Sequence, residues 1–218
     1  MNSSDLRHLA WGKLSGNWGG PIVVSLIYSL ITGAITYFAQ NMPFASILAI
    51  LVTSPLAIGV NKYYIYFAKS QSPEMEVMFD GFKENFASSI ILDLLTGLFV
   101  FLWALLFIIP GIIKAFAYAM APYILAENPG MSATEALNQS QEMMQGHKMD
   151  LFILGLSFIG WILLGIVTLG IALIWVIPYM QAANAEFYLE VSGGNAIPEA
   201  EVETKPAEED SFDSFLLK

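Results

Sequence analysis

The residues of this sequence that could do chemistry are polar side chains inside long apolar runs. A charged group in hydrocarbon is costly, so each one is a functional hypothesis by default. Glu186 follows Gly170 by sixteen residues, and Asp93 precedes Ile109 by sixteen. At about 1.5 Å per residue, each carboxylate therefore lies about 24 Å from the turn of its helical hairpin. Both are expected near the cytoplasmic end of their helices.

Other polar residues near the same helix ends extend this pair to a candidate polar ring, with one contribution from each hairpin. Such a ring could bind a substrate or an ion. Its predicted members are Asn61, Lys62, Asp93, Glu127, Asn184 and Glu186. The alternative is structural: the long side chains reach the membrane interface, and Asp93 bonds a neighbouring backbone or tyrosine.

Two further groups of residues stand apart from the ring. Lys114 lies just past the outer turn, about 18 Å or more from the level of Asp93. It is a candidate contact for an anionic lipid or substrate, although outward extension to the headgroups is favoured. Pro55, Pro122 and Pro178 each free a carbonyl one turn earlier and are predicted helix kinks, for which packing is the commoner use.

Several kinds of chemistry are disfavoured by composition. Cysteine is absent, and the two histidines, His8 and His147, are far apart, so no metal site and no cofactor are predicted. No His-Glu-x-x-His, Gly-x-Ser-x-Gly, P-loop or dinucleotide motif occurs in the sequence. The net charge is −10 and no basic patch exists, which disfavours nucleic-acid binding. We therefore predict no catalytic residues, although carboxylates alone can serve as acid and base.

The elements that must position these residues are membrane helices. Only 13% of the residues are charged, against about 25% in soluble domains. Runs 22–39 and 44–60 are each long enough for one crossing, and runs 86–127 and 151–190 each hold two. The two longer runs are expected to fold back at 109–111 and 168–170. The predicted fold is all-α, a polytopic membrane bundle of six transmembrane helices arranged as three hairpins.

Amphipathic helices are predicted to precede each hairpin, at residues 3–14, after Pro73, and after the capping box formed by Ser132 and Glu135. We expect them to support the hairpins at the membrane surface, with docking of a protein partner as the alternative. The units 3–70, 72–128 and 132–191 suggest an internal triplication within a domain of residues 1–192. Residues 193–218 are predicted to be a disordered acidic tail, a second candidate contact for a partner.

Long segments carry a family resemblance. GNWGGPIVVSLIYSLI at 16–31, IIPGIIKAFAYAMAPYILAENPGMSATEAL at 108–137 and LFILGLSFIGWILLGIVTLGIALIWVIPYMQAANAEFY at 151–188 resemble a family of small bacterial integral membrane proteins. The family is catalogued as a domain of unknown function, number nine-seven-five, and the likeness covers residues 5–191. It implies a polytopic protein of the bacterial inner membrane and supplies no established activity.

The basic residues predict the orientation. Arg7, Lys13, Lys62, Lys69, Lys83 and Lys148 all fall on the side of the N-terminus. An excess of lysine and arginine marks cytoplasmic segments, so both termini are expected in the cytoplasm.

The sequence favours one function and keeps two others open. The preferred one is a non-enzymatic bundle, embedded in the lipid bilayer, that binds or helps to move a small solute, lipid or peptide. The alternative is a membrane scaffold or accessory subunit of a transport or export complex, and a homo-oligomer is compatible with either. An intramembrane enzyme is the least favoured.

Overall fold

The computed structural model describes residues 3–39 and 45–193, and every regular element among them is helical. The first part of the chain forms α1 Ser3–Leu14, α2 Gly19–Ala39, α3 Ala45–Ala68, a 3-10 helix Met75–Phe79 and α4 Asp80–Glu84. The second part forms α5 Phe86–Leu106, α6 Ile108–Tyr118, α7 Ala121–Glu127, α8 Ala133–Met143, α9 Lys148–Leu156, α10 Ile159–Val167 and α11 Leu173–Val191. Residues 40–43, between the first two predicted crossings, and residues 194–218 of the predicted acidic tail lie outside the described residues.

Four of the described helical stretches are long and apolar enough to cross a membrane, and the prediction of six is wrong. They are Gly19–Ala39, Phe86–Leu105, Ile108–Glu127 and Lys148–Val167. The third joins α6 to α7, and the fourth joins α9 to α10. The prediction counted α3 and α11 as crossings because each begins in an apolar run. Their second halves carry Asn61, Lys62, Asn184 and Glu186, and these halves are surrounded by protein.

The second halves of α3 and α11 form the core of the molecule. We call this region the core end, and we call the region of the α5–α6 and α10–α11 connections the turn end. Tyr64 and Ile65 of α3 and Ala183 of α11 are fully buried at the core end. By contrast, the helices near the turn end expose large apolar side chains, such as Leu105 and Val167. Exposed apolar side chains of this kind suit contact with lipid rather than water.

The connecting helices pack into the bundle. α1 buries Leu6, Ala10 and Leu14, and α8 buries a stripe of its own that includes Ala136 and Leu137. The predicted capping box at the start of α8 is present, with Ser132 and Glu135 bonding each other's backbone N–H groups. The apolar stripes were expected to rest on a membrane surface, but in the structure they face protein. Burial of an amphipathic face against a core is how most short helices gain stability.

The second connector is shorter than predicted and contacts α3 through its backbone. Instead of one helix it forms the 3-10 helix and α4. A Cβ atom at Gly81 of α4 would overlap the carbonyl oxygen of Pro55, and one at Gly59 of α3 would overlap the carbonyl oxygen of Met78. Glycine is required wherever two backbones approach this closely. The two glycines thus fix the connector against the core end of α3.

The turns and kinks differ in detail from the predictions. α5 ends before Phe107, whose extended backbone makes the break, so Pro110 is the third residue of α6 rather than part of the turn. The second turn contains Leu169 and Gly170, both with positive φ, as the motif at 168–170 predicts. Pro55 and Pro178 lie inside α3 and α11. Pro122 stands in the first turn of α7, where proline is well tolerated, and not inside a continuous helix.

Candidate functional site

The predicted polar ring separates into local pairs in the structure. Lys62, Glu127 and Glu186 each bind a different partner, and each partner comes from another segment of the chain. Asp93 is exposed on α5 and interacts electrostatically with Tyr28 of α2. The two asparagines, Asn61 and Asn184, are half-buried.

The most buried of these pairs joins α1 to α11. The ammonium of Lys13 lies 2.6 Å from Oε1 of Glu186, and it also donates a hydrogen bond to the carbonyl of Ala68. The Glu186 side chain is only 1% exposed, whereas that of Lys13 is 21% exposed. The second carboxylate oxygen of Glu186 is buried without a hydrogen-bond partner among the described residues. Burial raises the pKa of Glu186, and Lys13 opposes that rise.

A second cluster holds the connector against α3. Lys62 is buried, and its ammonium lies 3.0 Å from Asp80 and 2.6 Å from Glu84. Burial by itself would lower the pKa of Lys62, but its hydrogen bonds with Glu84 and Asp80 outweigh burial and raise it. Lys62 is therefore a charged link between α3 and α4, the two helices that also meet at the contact of Gly81 with Pro55.

The third cluster joins α3, α7 and α11. Lys69, just after α3, pairs with Glu127 at the end of α7, and the hydroxyl of Tyr188 donates to the other carboxylate oxygen at 2.6 Å. Burial raises the pKa of Tyr188, and the neighbouring Glu127 raises it further. All three clusters lie at the core end, where each links separate segments of the chain.

Lys114 is engaged by protein groups and not by solvent alone. Its ammonium donates to Oε1 of Gln141 on α8 at 2.7 Å. It also lies over the rings of Trp103 and Tyr118, with centroid distances of 5.4 and 5.7 Å. A cation over an aromatic face is stabilised by the electrons of the ring. The structure thus gives this lysine a contact with α8 that the sequence did not predict.

Two residues with central positions were missed by the sequence reasoning. Lys13 lies in the predicted amphipathic helix at 3–14 and contributed only to the predicted orientation, and no local signal pairs it with Glu186. Asn85 is buried; its amide donates to the carbonyl of Leu125 at 2.9 Å, and its side-chain oxygen accepts from the N–H of Gly130 at 3.1 Å. Asn85 stands where α5 begins, but its side chain makes no cap hydrogen bond there, so the preference for asparagine at helix starts does not account for these two contacts.

A cavity of about 360 Å³ opens beside Lys13, between α1, the start of α2, the end of α3 and the loop that follows it. Its polar lining groups are Lys13, Asn17, Tyr63, Ser70, Gln71 and Ser72. Lys13 carries the only formal charge among the described lining residues. Gly20 lies in the first turn of α2, where backbone N–H groups have no partner within the helix. We call this space the Lys13 cavity.

The described residues contain no group of three or more histidine, cysteine, aspartate or glutamate side chains arranged to hold a metal ion. The chemistry that the Lys13 cavity offers is therefore binding through one ammonium, several hydroxyls and amides, and the helix start of α2. These groups suit a small ligand that carries an anionic or hydrogen-bond-accepting group.

The helical fold and the four apolar stretches, each long enough to cross a membrane, suggest a helical membrane protein. The model of the family described as "Protein of unknown function (DUF975)" matches residues 1–116 and 105–195, so the chain belongs to that family. No curated protein and no solved structure matches the chain. The family match falls in two overlapping segments rather than three, and the predicted triplication stays a prediction.

Proposed function

We propose that this protein is a non-enzymatic, multi-pass membrane protein that binds a small anionic solute in the Lys13 cavity. The observation that carries the proposal is the ammonium of Lys13 on a lining that otherwise consists of neutral polar and apolar groups. Its ion-pair partner, Glu186, does not belong to that lining. An anion entering the cavity would meet the ammonium of Lys13 and the N–H groups at the start of α2. Movement of that solute across the membrane is a further step of the same proposal.

Glu186 would couple anion binding in the Lys13 cavity to the uptake of a proton. The carboxylate is buried behind Lys13, so a bound anion would share the ammonium with it. Like charges at close range disfavour each other, and the shared lysine would then favour the protonated form of Glu186. Binding of the anion would therefore be accompanied by proton uptake at this carboxyl.

The proposal also includes the orientation of the protein in the membrane. Lys13, Lys62 and Lys69 all lie at the core end. By the positive-inside rule we place the core end on the cytoplasmic side of a bacterial inner membrane, with both termini in the cytoplasm. The Lys13 cavity would then receive its solute from the cytoplasm.

The rival function, a scaffold or accessory subunit, is less favoured. It relied on free apolar stripes on the connecting helices, and the stripes of α1 and α8 are buried within the bundle. The acidic tail, its other candidate contact, lies outside the described residues.

We expect small anions to stabilise the purified protein through the Lys13 cavity. The test is thermal unfolding of the full chain in a neutral detergent with phosphate, acetate or longer carboxylates, each compared with a neutral amide analogue. A ligand at one hundred times its dissociation constant should add about 2.7 kcal/mol. Gln71→Ala, in the cavity, should weaken the effect, and Gln139→Ala, exposed on α8, should not. Equal stabilisation by anions and amides would contradict the proposal.

A further inference from the structure

A second cavity, of about 270 Å³, lies between α1, α10 and α11 and shares no lining residue with the Lys13 cavity. It is lined by Arg7, His8, Trp11, Trp161 and Tyr179. We call it the aromatic cavity. Three of its five lining residues are aromatic, and none of the described lining residues is acidic.

The aromatic walls are held in place by contacts with Tyr179. The ring of Trp11 packs edge-on against Tyr179 at 5.6 Å between centroids, and that of Trp161 does so at 6.1 Å. The Tyr179 hydroxyl donates to the backbone carbonyl of Arg7 at 3.2 Å, which fixes α1 to α11 at this point. These contacts hold the three rings in fixed positions along one wall of the cavity, and both tryptophans are partly exposed.

Arg7 has unused hydrogen-bonding capacity. A guanidinium offers five N–H donors. One nitrogen of Arg7 donates a long bond of 3.4 Å to the carbonyl of Ser157, and Nε is buried without a partner among the described residues. No salt bridge joins Arg7 to any of the described residues, so an anionic ligand in the cavity would give this cation both acceptors and an opposite charge.

The cavity borders a helix that is suited to lipid. Trp161 belongs to the stretch Lys148–Val167, one of the four able to cross a membrane. The residues that follow it, Ile162, Leu163 and Leu164, are exposed on α10. A ligand held at Arg7 by a charged head could therefore lay an acyl chain along α10.

We propose that the aromatic cavity binds the phosphate head of an anionic phospholipid. Arg7 contacts the phosphate, His8 adds a polar contact, and the two tryptophans enclose the glycerol region. The acyl chains follow the apolar surface of α10. This site is independent of the solute site proposed for the Lys13 cavity, because the two share no lining residue.

The test measures lipid retention by the full chain. The protein is purified in a neutral detergent, mixed with equal amounts of phosphatidylglycerol and a diacylglycerol that lacks the phosphate, and analysed by native mass spectrometry. A hydrogen-bonded charge pair is worth a factor of about ten or more in affinity, so bound phosphatidylglycerol should exceed bound diacylglycerol about tenfold. In Arg7→Gln the two lipids should be retained equally, and Arg7→Lys should recover part of the preference.

Controls separate the possible results. Lys148→Gln, which removes a cation at the start of α9, should keep the tenfold preference. Trp11→Leu changes a half-exposed residue of the cavity wall and should lower the retention of phosphatidylglycerol. This variant replaces Arg7→Gln as the test if Arg7→Gln does not fold. An unchanged preference in Arg7→Gln would overturn the site. Displacement of phosphatidylglycerol by millimolar inorganic phosphate would overturn the assignment to lipid and make the ligand free phosphate.

Discussion

Gly81→Ala is expected to destabilise the protein by about 3 kcal/mol or more, because overpacking at a rigid contact is among the most costly core changes. The new Cβ atom would overlap the carbonyl oxygen of Pro55, which belongs to the helix backbone and cannot rotate away. α4 would have to separate from α3, and the link from Lys62 to Asp80 and Glu84 would stretch with it. The change should appear as a lower melting temperature or a loss of folded protein in the membrane.

Gly97→Ala provides the matched control. Gly97 lies inside α5, and a Cβ atom there would meet nothing within 4 Å. Alanine is favoured over glycine in a helix by about 1 kcal/mol, so this variant should be as stable as the wild type or slightly more so. If Gly81→Ala and Gly97→Ala had the same melting temperature, the inferred close approach of α4 to α3 would be contradicted.

Lys13→Met is expected to cost about 3 to 5 kcal/mol, as removal of one partner from a buried ion pair does. The reason is the unequal burial of the two side chains. Without Lys13, the carboxylate of Glu186 is left buried and unpaired, whereas Lys13 borders a cavity and can be hydrated when Glu186 is neutralised. Glu186→Gln should therefore be much milder than Lys13→Met. Chemical unfolding of the two variants checks this order.

The double variant Lys13→Met with Glu186→Gln provides the control for charge. It removes both ions and should regain most of the lost stability, since a buried pair can often be replaced by neutral groups without penalty. A double variant no more stable than Lys13→Met would show that packing, and not the buried charge, explains the loss.

The same pair predicts a dependence on pH. Burial raises the pKa of Glu186 in the folded protein above that of the unfolded chain, so the folded state holds its proton more tightly. The stability contributed by this group is then greatest at low pH and falls as the pH rises through the folded-state pKa. Lys13→Met should show this fall more strongly than the wild type, and Glu186→Gln should remove it.

Local signals in the sequence predicted local structure well. The capping box of Ser132 and Glu135, the turn at Gly170 and the apolar stripe of α1 all depend on residues a few positions apart, where spacing determines the geometry. The apolar runs likewise indicated helices of the right type. They did not indicate that the second halves of α3 and α11 are buried within the protein.

The candidate site was less predictable because its contacts join distant parts of the chain. Glu186 was singled out by its depth in an apolar run, but its partner, Lys13, lies on the first helix. The same holds for Glu127 with Lys69 and for Lys62 with Asp80. The predicted ring required polar groups at the same depth along their helices to contact one another. In the structure Lys62, Glu127 and Glu186 each pair with a nearer residue of opposite charge, because a buried charge is most stable with an opposite charge in contact.

The most direct test of the account measures the electrostatic character of the Lys13 cavity. The sequence has no cysteine, so Gln71→Cys introduces a single thiol at its lining. At each thiol the measured quantity is the rate with a negatively charged thiosulfonate reagent divided by the rate with a positively charged one. We predict that this ratio is about tenfold higher at Gln71→Cys than at Asn138→Cys, a position exposed on α8. Adding Glu186→Gln should increase this ratio, and adding Lys13→Met with Glu186→Gln should abolish it. The same ratio at both thiols, or a ratio unaffected by loss of Lys13, would contradict an anion-binding cavity.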